Sequence, residues 1–149
     1  MRFYAIRGEL GSVIYGVIIS DEIIPSKPLK FLIDTGSQSS MISACWLDSS
    51  FSCSSLQRGP DSLGATGSDF TYLLHNVRLC LFTREGKLYY IQKFSEMGIL
   101  PRRYDKVTNK LLPIPNLLGM DIIGKKFKLI YGKRKTVLES RESFSEIKI

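Results

Sequence analysis

The sequence predicts a mainly β protein, and three observations carry that prediction. Apolar runs are short, rich in β-branched and aromatic residues, and cut by glycine or proline, as in "YAIRGELGSVIYGVII" and "PSKPLKFLID". One segment alternates as a hairpin should: in "NVRLCLFTREGKLYYIQKF", Val77, Leu79 and Leu81 interleave with Arg78, Cys80 and Phe82, "TREGK" turns, and residues 88–94 return. Pro113 and Pro115 then exclude a helix from the long stretch "RRYDKVTNKLLPIPN".

Taken in order, Gly8, Gly11 and Gly16 suit a strand, a tight turn and a return strand. Pro25 and Pro28 punctuate the approach to an apolar strand that ends at Asp34. The central hairpin follows, then residues 102–116 as a long loop or extended hairpin. "MDIIGKK" makes one short helix, and "FKLIYGKRKTVLES" resumes as strand. A weak internal echo links "KFLID" followed by "TGSQSSMIS" with "LPIPNLLG" followed by "MDIIG": each time an apolar strand gives way to a short hydrophobic segment.

Length and composition fit one globular domain over residues 1–149, enough to bury roughly 70% of the surface of the unfolded chain. The longest apolar run, residues 13–19, stops before Asp21 and Glu22, far short of a membrane span. Arg7 and Glu9 interrupt any secretory core near the N-terminus. Cys45, Cys53 and Cys80 show no pairing pattern, so reduced thiols in an intracellular, cytoplasmic setting are expected. The net charge of +7 is uneven: residues 1–77 carry five Lys/Arg against seven Asp/Glu, and residues 78–149 carry sixteen against seven. Six of the eleven residues from Lys125 to Lys135 are basic. That run reads either as a solvated strand pair or as a nucleic-acid face, and charge alone does not decide.

Residue supply removes several chemistries. His75 is the one histidine, too few for a hydrolytic zinc site and poorly placed for a Ser-His or Cys-His nucleophile. No serine sits in a GxSxG elbow. "GMDIIGKK" approaches a phosphate-cradling loop, yet Lys126 stands where a hydroxyl is needed. Carboxylate chemistry remains, centred on Asp34 at the end of "FLIDTGSQSS". Asp-Thr-Gly alone is equally a turn with an aspartate cap.

The apolar strand before Asp34, together with the distant Leu117-Leu118-Gly119 and Asp121, sharpens the reading. "FLIDTGSQSSMIS" (residues 31–43) and "NLLGMDII" (116–123) resemble the paired signatures of the retropepsin-like aspartic proteases. Between them, "SLGATGSDFTYL" occupies the place of that family's flap. The serine-rich "WLDSSFSCSS" and the loop from Arg102 to Asn116 are longer than the minimal viral pattern.

The resemblance implies a closed acid-protease barrel with one short helix in the C-terminal half and a flap hairpin. It implies an aspartic endopeptidase acting on extended polypeptides. Asp34 is the catalytic acid, with Thr35, Gly36 and Ser37 supporting its loop, Leu63, Gly64, Ala65, Thr66, Gly67 and Ser68 as the flap, and Leu117, Leu118, Gly119 and Asp121 as a structural second motif. A single Asp-Thr-Gly implies a homodimer that supplies one Asp34 from each copy. Two carboxylates about 3 Å apart at an effective dielectric near 20 repel by about 5 kcal/mol, so such a pair holds one proton between them. One carboxylate then activates a water while the other protonates the scissile carbonyl. Thr35 reaches across the dimer, Gly36 allows close backbone approach to the carboxylate, and Ser37 is a candidate donor to it. The terminal strands "MRFYAI" and "FSEIKI" are candidates for pairing across the dimer, as in viral relatives. No metal, other cofactor, nucleic acid or membrane is expected as a partner. The alternative is the same fold kept as a non-catalytic peptide-binding or dimerisation module.

Overall fold

The computed structural model describes residues 1–23, 27–64 and 67–148, with backbone alone at 62–64 and 67–69. Strands take up 51% of the chain and helical turns 9%, the mainly β composition expected. Strands β1 (Arg2–Tyr4) and β2 (Ile6–Arg7) lead into a turn that Gly8 N closes by donating to Gly11 O at 2.8 Å. Gly11 sits at φ +144°, which side chains rarely adopt, and so lets β3 (Ser12–Ile19) return along β2. β4 (Leu29–Ile33) and β5 (Met41–Ser43) flank the Asp34 loop. The long hairpin is β6 (Gln57–Gly64) against β7 (Gly67–Phe82), and β7 in turn pairs with β8 (Leu88–Leu100). β9 (Asn116–Leu118) runs into α1 (Met120–Lys126), followed by β10 (Phe127–Tyr131), β11 (Thr136–Ser140) and β12 (Ser145–Ile147).

Strand order closes the barrel. β8, β5, β9, β4, β3 and β7 are neighbours in turn, and β7 pairs back to β8. The pleat explains which residues fill it. Ile14 and Ile18 of β3, Phe31 of β4, Leu79 and Leu81 of β7, and Leu118 of β9 all turn inward and are buried. Gly16 faces inward where β3 crosses β7 so closely that a Cβ would lie 2.6 Å from the Cys80 carbonyl oxygen.

β1, β11 and β10 form a separate three-stranded sheet. An aromatic cluster fastens it to the barrel: the fully buried Phe3 ring meets Phe127 at 5.6 Å, Tyr89 at 6.1 Å and Phe144 at 6.2 Å, all edge-on. Phe3→Leu, which keeps apolar volume but loses these ring contacts, is expected to cost about 1 kcal/mol in urea unfolding. An unchanged midpoint would remove the cluster from the account of stability.

Both terminal segments find partners inside the chain: β1 lies antiparallel on β11 and β12 on β8. The extra hairpin β10–β11 provides β1 with its partner. The serine-rich segment folds as two short helical turns, Ala44–Trp46 and Cys53–Ser55. Arg102 ties it to the long loop, donating to Phe51 O at 2.5 Å and Asp48 O at 2.6 Å. That loop is closed by one bridge between Tyr104 and Leu111, with the Asp105 carboxylate accepting from Val107 N and Thr108 N. The basic run ends α1 and forms the β10–β11 hairpin, where Lys126 pairs with Glu142 at 2.6 Å. No helix is long and apolar enough to cross a membrane among the described residues.

Candidate active site

The two halves of the echoed sequence are hydrogen-bonded neighbours. β4 and β9 lie parallel, with Leu32 opposite Leu117 and Ile33 opposite Leu118. Asp34 N then donates to Leu118 O at 3.0 Å, so the acid loop begins where both strands end. Asp34 is half-buried, and Thr35 and Gly36 are exposed beside it. Gly36 N donates to Asp34 Oδ1 at 2.9 Å. A Cβ on Gly36 would stand 3.2 Å from that same oxygen, so any side chain there presses on the carboxylate. Ser37 N donates to Asp34 O at 3.2 Å, closing the turn. The Ser37 hydroxyl donates to Ser39 O at 2.7 Å and not to the Asp34 carboxylate, which corrects the donor role considered for it. Its single proton is already engaged. Thr35 makes no side-chain hydrogen bond among the described residues.

The second motif holds the loop from below. Met120 N donates to Ser37 O at 2.8 Å and Asp121 N to Gln38 O at 3.1 Å. The Asp121 carboxylate accepts from Ser40 N (2.9 and 3.0 Å) and from the Ser40 hydroxyl (2.6 Å). Ser40 Oγ in turn accepts from Gly119 N at 2.9 Å. Asp121 is thus spent on anchoring the chain downstream of Asp34. Asp121→Ala would strand a buried hydroxyl and amide, and about 2 kcal/mol of stability is expected to go with it in denaturant unfolding. An unchanged midpoint would mean that water replaces the carboxylate at no cost.

Two residues of this frame were not singled out in the sequence. Ser40 and Asn116 are both buried. Asn116 Oδ1 accepts from Ser43 N at 2.8 Å, and its Nδ2 donates to Lys30 O at 3.0 Å, stitching β9 to both β5 and β4. Their signal was position alone, a polar residue directly before "MIS" and directly before "LLG".

A groove of about 1010 Å³ runs along the outer face of β3 and β4, past Val13, Tyr15, Lys30 and Leu32 and walled by Trp46 and Pro113. Leu32, on the groove's wall, lies two residues before Asp34. The hairpin of β6 and β7 keeps its pairing to Leu63↔Ser68 and Gly64↔Gly67. Ala65 and Thr66, also expected in the flap, lie outside the described residues. The base of the hairpin is braced: Thr71 Oγ1 donates to Pro60 O at 2.6 Å, and the Arg58 guanidinium lies 4.4 Å from the Phe70 ring centre.

Other chemistries find no arrangement. Among the described residues no three His, Cys, Asp or Glu gather to hold a metal. His75 sits on β7 between Glu22 (3.4 Å) and Glu96 (3.9 Å), with no serine or cysteine nucleophile on its ring among the described residues. Burial pushes the Cys80 thiol up to about 11 and raises that of Cys53, which keeps both protonated and inert.

No protein-family model and no curated protein matches the sequence. Solved structures do match. A retropepsin-like aspartic protease from Rickettsia conorii aligns over 93% of this chain and 89% of its own, with 15% identity and a TM-score of 0.52. The EIAV protease complexed with the inhibitor HBY-793 aligns over 75% and 84%, with 16% identity and a TM-score of 0.43. Closed barrel, strand order and the first of these alignments agree: the chain has the fold of the retropepsin-like aspartic proteases.

Proposed function

We propose that this protein is an aspartic endopeptidase, one domain and one half-site per chain, that hydrolyses extended polypeptides as a homodimer. The observation that carries the reading is the frame around Asp34: a half-buried carboxylate held by its own loop, with Leu118, Ser37 and Gly119–Asp121 fixing that loop from the other motif. Among the described residues no second acid stands beside Asp34, and a second copy is the simplest source of one. The pair shares a proton. One oxygen takes a proton from the water between the carboxylates, and the other group donates its proton to the carbonyl oxygen as the tetrahedral intermediate forms. The exposed Thr35 hydroxyl, without a side-chain hydrogen bond among the described residues, suits a contact with the opposite loop. Gly36 keeps the carboxylate uncrowded, and the β6–β7 hairpin serves as the flap that excludes water and lends main-chain donors to peptide. The groove beside Leu32 suits an extended apolar segment.

The test is incubation of purified protein with an unfolded polypeptide between about pH 4 and 6, mildly acidic conditions that suit a shared-proton carboxylate pair. Internal cleavage that a statine-type inhibitor stops is expected. A dimer that binds peptide without cutting it would leave a binding module, and a protomer that cuts while monomeric would overturn the shared site.

A further inference from the structure

The outer face of β3 and β4 is ordered in rows. Antiparallel pairing sets Ile6 of β2, Val13 of β3 and Leu32 of β4 side by side, with Tyr15 beside Lys30 in the next row. The intervening pair, Ile14 and Phe31, turns inward and is buried, so both rows line the groove. Ile6 is 51% exposed and Tyr15 36%, which leaves apolar surface open along the floor. Both strands are already paired on their edges, β3 with β2, β4 and β7, and β4 with β9 as well. A chain lying here meets side chains and finds no main-chain ladder to join.

The second row is charged. Lys30 Nζ lies 5.9 Å from the centre of the Tyr15 ring, and no carboxylate pairs with it among the described residues. Arg7 and Lys27 bring two more cations to the groove, against a single carboxylate, Glu9, among the described residues that line it. A cleft lined mostly by one sign of charge draws in the opposite sign.

We infer that Lys30 selects the substrate. The groove takes an extended polypeptide with an apolar side chain on the row of Ile6, Val13 and Leu32, and an aspartate or glutamate two residues further from the bond to be cut. The acidic side chain pairs with the Lys30 ammonium. This inference rests on the reading of the chain as a peptidase and names the substrate class of that site. Its spacing follows from strand geometry. Lys30 and Leu32 stand two residues apart, about 7 Å along β4, and an extended peptide repeats its side chains on one face at the same interval. Its direction follows from the chain, since β4 runs from Leu29 to Ile33 and into Asp34, so Lys30 is further from the acid loop than Leu32. In the proposed homodimer each copy contributes one groove, and the preference falls on both sides of the scissile bond. The Tyr15 ring holds the ammonium over the floor.

Two fluorogenic peptides that differ only at that position, glutamate against glutamine, read the preference. The glutamate peptide is expected to show a kcat/KM about fivefold higher, carried by KM, the scale of one partly exposed ion pair. At about 1 M salt the two converge. Lys30→Glu is expected to reverse the order, favouring lysine over glutamate at that position, which a purely structural role for Lys30 would not produce. Should that variant fail to fold, the parent's own preference and its salt dependence decide alone. Fluorescence anisotropy of the labelled peptides on Asp34→Asn protein reads binding apart from hydrolysis. Equal kcat/KM for the glutamate and glutamine peptides, a preference indifferent to salt, or a folded Lys30→Glu protein that keeps the parent's order would each overturn the assignment. Hydrolysis without preference would leave the peptidase standing. Peptides bound in the expected order yet never cut by the parent would refute the peptidase and leave the selectivity of the groove in place.

Discussion

Asp34→Asn is expected to yield a folded protein whose peptide hydrolysis has fallen by at least about 10³-fold, the scale of a lost general acid–base. The fold survives because the carboxylate is half-exposed and its intrachain acceptor duty is light. Gly36 N donates to Oδ1, and an asparagine carbonyl oxygen accepts that bond equally well. The chemistry does not survive. An amide can neither take a proton from water nor hold the shared proton of an acid pair, and in the proposed homodimer the substitution falls on both copies at once. Fluorogenic-peptide turnover and a thermal melt, measured side by side, check the two halves of this expectation. Activity within tenfold of the parent would move catalysis away from Asp34, and a melting temperature lowered by many degrees would make the loss uninformative.

Gly119→Ala is expected to be the most destabilising single-methyl change near the site, at about 3 kcal/mol. A Cβ there would stand 2.7 Å from the Ser39 carbonyl carbon, 2.8 Å from its oxygen and 2.9 Å from Ser37 O. All three are backbone atoms, so no side chain can swing aside. Relief requires separating the start of α1 from the acid loop. That breaks Gly119 N to Ser40 Oγ, Met120 N to Ser37 O and Asp121 N to Gln38 O together. At about 2–4 °C per kcal/mol for a chain of this size, the melting temperature falls by about 10 °C. Differential scanning calorimetry reads this directly, and a shift under about 2 °C would show that the loop yields more readily than its contacts suggest. Peptide hydrolysis by the fraction still folded should fall as well, since the displaced backbone leads straight back to Asp34.

Much of this frame was legible because its signals are local. β4 ends at Ile33, directly before Asp34, since an apolar run meets a turn-forming Asp-Thr-Gly. α1 occupies Met120–Lys126, the segment expected, because two adjacent isoleucines need burial and a glycine opens the way. The echo between residues 30–43 and 112–123 turns out to be two segments hydrogen-bonded side by side as β4 and β9. The unread parts are those whose partners lie far along the chain. Phe3 faces Leu138 across β1 and β11, and no periodicity in either strand names the other. β7 reaches back to Gly67 rather than starting near Val77, because Asn76 at φ 53° interrupts the alternation without ending the pairing. The serine-rich turns lack a repeat of any period and are fixed by Arg102, about fifty residues later. Ser37 was misread because a free hydroxyl in sequence has many acceptors within reach, and the backbone turn chose Ser39.

The in-chain pairing of β1 with β11 and of β12 with β8 bears on the order of events during assembly. A protomer whose β1 and β12 are already paired in its own chain holds both ladders before it meets anything else. In the proposed homodimer, assembly is then a collision of folded bodies, second order in concentration, and dilution followed by reconcentration should restore the pair without any refolding delay.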